Sequence, residues 1–199
     1  MSVRRLPYYF LVDTSARSAD ANPEMCRNLI GLIIQKMRQD PFHLEMAHMA
    51  VIKFGGEAKV VTPLTDVCAF NLGPEAFEVG CGLGYGLSLL VDRLRSEPIA
   101  SNQGVPGDFR STVVLWLMSE PTDDFSVGLS VLDSVRTAKR FAFVSGAVSR
   151  TTVNRLKDSG FSVVSEESSH KDVVGWIEDI VRLDFPDYPL EPEASGPSA

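Results

Sequence analysis

Apolar and polar stretches alternate along the chain, and their lengths and periods predict strands and helices in turn. The stretch Leu6 to Arg17 begins the series, and within it Tyr8 to Asp13 is aromatic and aliphatic until it ends on a single acid. Aromatic and β-branched residues favour a strand, and a nearly continuous apolar run is typical of a parallel strand covered on both faces. We therefore predict a buried first strand that carries Asp13 at its carboxyl end.

A helix and a hairpin are predicted next. Asn22-Pro23-Glu24 is typical of a helix start, with an N-cap, a proline at the first helical position and an acid in the first turn. Apolar residues recur at helical spacing from Met25 to Met37. Leu44 to Phe54 is predicted as a long strand that turns at Gly55-Gly56 and returns as the short strand Ala58 to Val61.

The second half of the chain continues the alternation, with two predicted loops, Thr62 to Val79 and Ser96 to Arg110. Its predicted elements are helix Leu83 to Leu94, strand Thr112 to Met118, helix Phe125 to Ala138, strand Phe141 to Ser145, helix Thr151 to Lys157, strand Phe161 to Val164 and helix Lys171 to Leu183. Regular alternation of strands and helices is typical of a doubly wound α/β fold. We predict a mostly parallel sheet with an antiparallel edge hairpin and helices on both faces, formed by residues 1–183 as one domain.

Composition narrows the range of functions. The chain has 199 residues, enough for one α/β domain, and its tail 184–199 is predicted to be disordered because it is rich in Pro, Glu, Ser and Gly. A net charge of −7 argues against a nucleic-acid or anionic-membrane partner. No apolar run reaches the ~18 residues of a membrane span, and no signal-peptide pattern is present. Three cysteines without Cys-x-x-Cys spacing indicate neither disulfides nor zinc, so we expect a reduced, cytoplasmic setting.

Three predicted loops hold the candidate chemistry. They are Asp13 to Arg17 after the first strand, the glycine run Gly80 to Gly86, and Ser119 to Asp124 after the strongest central strand. In open α/β sheets, ligands bind outside the carboxyl ends of the strands. We therefore expect the three loops to converge at one edge, with the acids Asp123 and Asp124 interpreted as solvated helix ends.

The motifs in these loops carry a family resemblance. Phe10 to Ser15, Phe-Leu-Val-Asp-Thr-Ser, resembles the start of a von Willebrand factor A (vWA) domain. Gly80 to Leu87 resembles the family's second site loop, and Leu117 to Asp124 resembles its third. The Arg-Arg-Leu-Pro sequence at Arg4 to Pro7 and the Glu-Pro-Thr-Asp-Asp sequence of the third loop are most similar to bacterial members associated with tellurium resistance. The resemblance covers roughly residues 4–183 and implies a protein-binding module in a bacterial stress response, with a phosphatase or kinase of the same system as partner.

The vWA family implies a metal-ion-dependent adhesion site. In that site an Asp-x-Ser-x-Ser loop, a Thr from the second loop and an Asp from the third hold Mg²⁺, and a carboxylate of the partner protein completes the coordination shell. Such a donor set suits a hard cation that takes oxygen ligands in near-octahedral geometry. Asp13 and Ser15 match this pattern in the present sequence.

The remaining positions depart from the family pattern. Arg17 stands in place of the second Ser, Cys81 in place of the Thr, and the third-loop Asp is absent, which leaves Ser119 or Glu120 nearby. A thiol is a poor ligand for magnesium, and a guanidinium beside the site repels a cation. We therefore expect a degenerate site with no metal and no cofactor; a metal, if bound, would use Asp13 and Ser15. The predicted partner-binding edge consists of Asp13, Ser15, Arg17, Cys81, Ser119 and Glu120.

Two alternatives stay open at this point. Arg17 either replaces the ion, pairing with Asp13, with Glu120 or with a carboxylate of the partner, or it is solvated on a site that has decayed. Separately, Glu78 to Gly84 resembles the first motif of class I methyltransferases, which would make the chain an S-adenosylmethionine- or nucleotide-binding transferase that uses the Gly80 to Gly86 loop. The weak strand pattern before this motif argues against that interpretation. The sequence favours a non-enzymatic protein–protein interaction module.

Overall fold

The computed structural model describes residues 4–15, 23–71, 80–102 and 107–183. Strands and helices alternate along those residues as the sequence predicts. Their bounds are β1 (Leu6–Asp13), α1 (Pro23–Gln39), α2 (Pro41–Met46), β2 (Ala47–Phe54), β3 (Ala58–Asp66), α3 (Leu83–Ser96), β4 (Thr112–Leu117), α4 (Ser126–Asp133), β5 (Lys139–Val144), α5 (Arg150–Asp158), β6 (Ser162–Ser165) and α6 (His170–Val181). The predicted N-cap Asn22 and the tail 184–199 lie outside the described residues, so the single-domain boundary stays a prediction.

The strands form one six-stranded sheet in the order β3-β2-β1-β4-β5-β6. β1 lies between β2 and β4 and pairs with both in parallel, whereas β3 pairs with β2 in antiparallel fashion at one edge. The predicted doubly wound α/β fold with an antiparallel edge hairpin is therefore confirmed. Because β1 is flanked on both sides, its carboxyl end lies at the centre of the sheet edge.

Helices cover both faces of the sheet, and strand alternation divides the core between them. Tyr8, Phe10 and Val12 of β1 pack on the side of α1 and α6, together with Trp116 and Trp176. The intervening residues Tyr9 and Leu11 face α3, α4 and α5. The side chains of β1 from Tyr8 to Val12 are at most 2% exposed, because both faces of the strand are covered. None of the helices in the described residues is long and apolar enough to cross a membrane.

The predicted strand from Leu44 to Phe54 is wrong at its beginning. Its first residues belong to the short helix α2, and β2 begins only at Ala47. Asp40 caps this helix, since its carboxylate accepts the N–H groups of Phe42 at 2.8 Å and His43 at 3.1 Å. An acid followed by proline at the first helical position favours a helix start, and this local signal outweighs the apolar run.

The predicted loop from Thr62 to Val79 is also wrong in its first part, because β3 continues to Asp66. Pro63 is tolerated there since β3 is an edge strand, and the pairing with β2 shifts register on either side of Val51. Residues 72–79 of that loop lie outside the described part of the chain.

The ends of two later helices show how local contacts set helix length. α4 ends at Asp133, earlier than the predicted Ala138, and at this end the guanidinium of Arg140 donates to the carbonyls of Leu132 and Val135. α5 ends at Asp158, one residue past the predicted Lys157, and Gly160 follows with a φ of 78° that suits glycine.

Candidate functional site

Buried polar side chains gather where the carboxyl ends of β1, β4 and β5 meet. The strands themselves are almost wholly apolar, so this concentration of polar groups at one edge is distinctive. Its members are at most 3% exposed: Asp13, Thr14, Ser15, Ser119 and Ser145. Buried polar groups need hydrogen-bond partners to offset the loss of water. The contacts of these side chains therefore determine what the edge can do.

Asp13 lies at the centre of this edge and joins it to the loop after β4. Its Oδ1 accepts the N–H of Ser15 at 2.8 Å. Its Oδ2 accepts the N–H of Met118 at 3.0 Å, the N–H of Ser119 at 2.9 Å and the hydroxyl of Ser119 at 3.0 Å. Three backbone N–H groups and a hydroxyl thus stabilise the buried carboxylate, and hydrogen bonds to an ionised acceptor are the strong kind.

Ser15 and Ser119 form the next part of the network. Their hydroxyl oxygens are 2.7 Å apart. Because the Ser119 hydroxyl donates its proton to Asp13, the Ser15 hydroxyl is the donor in the bond between the two serines. Ser15, Ser119 and Asp13 therefore form a chain of hydrogen bonds that joins the residues at the end of β1 to those after β4.

Cys81 adds the second loop to the same cluster. It is 2% exposed, and its Sγ lies 3.6 Å from Asp13 Oδ2 and 3.7 Å from the carbonyl oxygen of Ser119. Burial raises the pKa of the Cys81 thiol, and the negative charge of Asp13 raises it further. Since the thiolate is the nucleophile and the metal ligand, a neutral buried thiol is suited to packing and weak donation.

Glu120 is directed away from this cluster, toward the beginning of α5. Its carboxylate accepts the N–H of Ser149 at 2.7 Å, the hydroxyl of Ser149 at 3.0 Å and the hydroxyl of Thr152 at 2.6 Å. Burial raises the pKa of Glu120, but these hydrogen bonds outweigh it and hold the pKa below its usual range. The structure therefore brings together Asp13, Ser15, Cys81 and Ser119, while Glu120 stabilises the N-terminus of a helix.

The glycines of the run Gly80 to Gly86 allow α3 to pack closely against its neighbours. The N–H of Gly82 donates to the carbonyl of Gly55 at 2.7 Å. A Cβ on Gly82 would lie 2.7 Å from the ring of Tyr85, and one on Gly86 would lie 3.1 Å from the ring of Phe54. These glycines allow the beginning of α3 to approach the hairpin and β2 at distances that a side chain would prevent.

Asp123 caps a helix close to this edge, so its interpretation as a solvated helix end is wrong. Its Oδ2 accepts the N–H of Gly84 at 2.9 Å and of Tyr85 at 3.3 Å, so it caps α3 from a distant loop. The signal that points to it is the residue just before the helix: Gly82 at the N-cap has no side chain to accept these bonds. Arg17, by contrast, lies outside the described residues.

No protein-family model matches the sequence, and no curated protein matches it. Solved structures match the fold. The ArnB paralog VWA2 from Sulfolobus acidocaldarius is similar, with a TM-score of 0.61 and 14% identity over 89% of this chain and 46% of that chain. Proximal thread matrix protein 1 from the mussel byssus, with a zinc-occupied MIDAS motif, has a TM-score of 0.57 and 16% identity over 88% of this chain and 45% of that chain.

The SpRpn10 VWA domain is similar over most of both chains, with a TM-score of 0.58 and 12% identity across 89% of this chain and 94% of that chain. The match to the first two structures spans less than half of their length. At such identities the likeness shows the fold alone, and that fold is the vWA fold.

The fold family implies a magnesium ion at this edge, and the described residues there offer such an ion few free oxygen ligands. Asp13 Oδ2 already accepts two N–H groups, a hydroxyl and a thiol, and the Ser119 hydroxyl is committed to Asp13. A neutral thiol at Cys81 lies where a hard cation needs an oxygen. Within the described ranges, no group of three or more His, Cys, Asp and Glu side chains is placed to hold a metal ion.

Proposed function

We propose that this chain is a non-enzymatic protein–protein interaction module that binds its partner, without a metal ion, at the sheet edge around Asp13. The observation that carries the proposal is the set of hydrogen bonds that the Asp13 carboxylate accepts from three backbone N–H groups and a hydroxyl. The vWA fold supports an interaction role, because the fold presents three loops at one edge of a rigid sheet. Asp13, Ser15, Cys81 and Ser119 form the base of the proposed contact.

The hydrogen-bond network stabilises the buried Asp13 carboxylate, as a bound cation would otherwise do. A buried carboxylate without compensation is costly, and either a metal ion or several donors can offset the cost. Here the N–H groups of Ser15, Met118 and Ser119 serve that purpose. The end of β1 and the residues after β4 are therefore held together before any partner binds, which lowers the ordering cost of association.

The part of the proposal that concerns Arg17 rests on the sequence alone, since this residue lies outside the described residues. We propose that its guanidinium takes the role of the missing ion and receives a carboxylate of the partner. Arginine suits this role because its planar donors match a carboxylate in a bidentate geometry. The alternative, a solvated Arg17 on a decayed site, predicts that replacing it has no effect on binding.

The biological setting that we propose rests on the sequence resemblance. Similarity to tellurium-resistance-associated bacterial proteins suggests a cytoplasmic stress-response role, with a phosphatase or kinase as the partner. The alternative of a transferase finds less support. The N–H groups at the beginning of α3, which would receive a cofactor's phosphate or carboxylate, already donate to Asp123.

Calorimetry tests the metal and cofactor parts of the proposal. Titration of the protein with MgCl₂ and, separately, with S-adenosylmethionine is expected to give no heat of binding. Tight binding of S-adenosylmethionine would overturn the non-enzymatic assignment in favour of the transferase. Binding of Mg²⁺ that disappears in Asp13→Asn would overturn the metal-free edge.

Affinity capture tests the role of Arg17. The tagged chain is used to capture partners from a bacterial lysate, with and without EDTA, beside Arg17→Ser and the matched control Arg136→Ser, an exposed arginine just after α4. We expect capture that EDTA does not change, that Arg17→Ser abolishes and that Arg136→Ser preserves. A complex that EDTA dissociates would contradict the proposal, as would equal capture by both variants.

A further inference from the structure

A groove of about 550 Å³ lies beside the Asp13 edge, between the turn of the β2–β3 hairpin and the outer face of α3. It shares no residue with the cluster around Asp13. Its lining residues are Gly56, Glu57, Ala58, Tyr85, Leu89 and Asp92. A groove of this volume accommodates one or two long side chains of a bound segment.

The close packing of α3 on the hairpin shapes this groove. Tyr85, Leu89 and Asp92 are spaced at i, i+4 and i+7, so they follow one side of the helix. The Gly82–Gly55 hydrogen bond of 2.7 Å fixes the beginning of α3 against the hairpin turn. The Tyr85 ring lies against Gly82, where a Cβ would be 2.7 Å from Tyr85 Cδ2. The aromatic ring is therefore held in place at the end of the groove.

The chemistry of the lining is aromatic and acidic. Tyr85 is 62% exposed to solvent, although its ring packs against Gly82. Glu57 and Asp92 are the two acidic residues of the lining, and within the described part of the chain Asp92 has no ion-pair partner. Glu57 contacts Lys59 at 3.1 Å, but both side chains are exposed, and such surface pairs exchange at little cost.

The Cβ atoms of the hairpin lysines are directed to the other face of the sheet, although the ammonium group of Lys59 reaches Glu57 at the turn, at 3.1 Å. Lys53 and Lys59 pair across β2 and β3. The neighbouring pair Phe54 and Ala58 packs with the α3 cluster, so strand alternation directs the two lysines to the opposite side. The groove side of the hairpin is consequently acidic.

We propose that this groove binds a lysine- or arginine-bearing segment of a partner protein. The cationic group lies over the Tyr85 ring between the carboxylates of Glu57 and Asp92, and its alkyl stem packs against Leu89. An exposed aromatic face with acids on either side attracts a cation through both the ring quadrupole and direct charge. Arginine is preferred to lysine because its planar group stacks on the ring and pairs with a carboxylate at the same time.

NMR titration with a defined peptide tests this groove directly. The probe is a blocked hexapeptide of alternating arginine and glycine, and the matched control peptide replaces arginine with glutamate. We expect amide shift changes confined to residues 56–58 and 85–92 with the arginine peptide, and none with the glutamate peptide. Binding should weaken at least fivefold in Tyr85→Ala and at least threefold in Asp92→Asn, on the scale of one cation–π contact and one surface ion pair.

Two matched variants separate a specific groove from general attraction to an acidic protein. Phe42→Ala removes another exposed aromatic, 57% accessible on α2, and Glu45→Gln removes an exposed acid from the same helix. Both are expected to bind the peptide as the unmodified chain does. Shift changes spread over the whole surface would overturn the proposal, as would equal weakening in all four variants or unchanged binding in Tyr85→Ala. None of the four variants alters Arg17 or Asp13, so this test is independent of the Asp13-edge proposal.

Discussion

The two ends of the sheet each contain a buried acid, and they stabilise it in different ways. At the amino ends of the strands, Asp108 forms an ion pair with Arg5, with Nη2 and Oδ2 2.6 Å apart. At the carboxyl ends, Asp13 accepts backbone N–H groups and a hydroxyl. Both acids are 3% exposed, by side chain for Asp108 and by whole residue for Asp13.

The difference lies in the net charge that remains. The Arg5–Asp108 pair is neutral as a unit, and it anchors the loop before β4, since Asp108 also accepts the N–H of Ile99 at 2.8 Å. The donors around Asp13 are neutral, so they stabilise its negative charge without cancelling it. An edge that is rigid yet still charged is suited to recognition, whereas a neutral ion pair is suited to holding the fold together.

The largest expected effect concerns the stability of the two ends. Asp13→Ala leaves the N–H groups of Met118 and Ser119 buried without an acceptor, and we expect a loss of about 4 kcal/mol in the free energy of unfolding. Asp108→Ala should cost about 2 kcal/mol, because Arg5 is partly exposed and water can solvate its charge. Urea denaturation monitored by circular dichroism measures both.

The control for this pair is Asp158→Ala, an exposed acid at the end of α5, which should change stability by less than about 0.5 kcal/mol. An Asp108 variant less stable than the Asp13 variant would reverse the comparison. It would mean that the ion pair, rather than the backbone network, is the stronger of the two arrangements.

A smaller change in the free energy of unfolding is expected for Glu120, which lies at the same carboxyl edge as Asp13. The hydrogen bonds from Ser149 and Thr152 hold the pKa of Glu120 below its ordinary value of 4.5 despite burial. A group with a depressed folded pKa stabilises the protein above its unfolded pKa, and that stabilisation is lost as the pH falls through the folded pKa. Because Glu120 is partly exposed and solvent screens its charge, Glu120→Gln should cost only about 0.5 kcal/mol at pH 7, and the difference should disappear as the pH falls below 4.5 and through the folded pKa.

Denaturation curves of Glu120→Gln and Glu45→Gln at several pH values check this expectation. Glu45 is an exposed residue of α2 and serves as the control, with no expected difference from the unmodified chain at any pH. A Glu120→Gln variant that loses partner capture but not stability would place Glu120 in the partner contact rather than at the helix cap.

The smallest expected effect concerns the thiols. Cys68 is exposed, whereas Cys26 and Cys81 are buried. The pKa values of the Cys68 and Cys81 thiols are both raised, so exposure decides their reactivity: we expect Ellman's reagent to modify Cys68 alone in the folded protein and all three thiols in concentrated urea. Cys68→Ser should remove the reaction of the folded protein. Rapid modification of Cys81 in that variant would show that the edge opens, and would undermine the comparison with the closed Arg5–Asp108 end.

Much of the architecture was predictable because its signals are local. The apolar run of β1, the glycine at the end of α5 and the helical spacing in α1 each determine an element from neighbouring residues. The errors have the same origin: Leu44 to Met46 are apolar enough for a strand, but Asp40 and Pro41 begin a helix there. Strand β3 extends past Pro63 because its position at the sheet edge tolerates a proline, and that position is a tertiary property.

The same distinction between local sequence signals and tertiary contacts applies to the candidate site. The sequence by itself placed Asp13 and Ser15 at the carboxyl end of a buried strand and identified Cys81 and Ser119 as their neighbours. Only the tertiary structure decided how the Asp13 charge is held, since its donors Met118 and Ser119 lie 105 and 106 residues away. Their position depends on the parallel register of β1 with β4. The tertiary structure also decided that Glu120 and Asp123 cap α5 and α3, respectively. The donors that these carboxylates bind are close in space but distant along the chain.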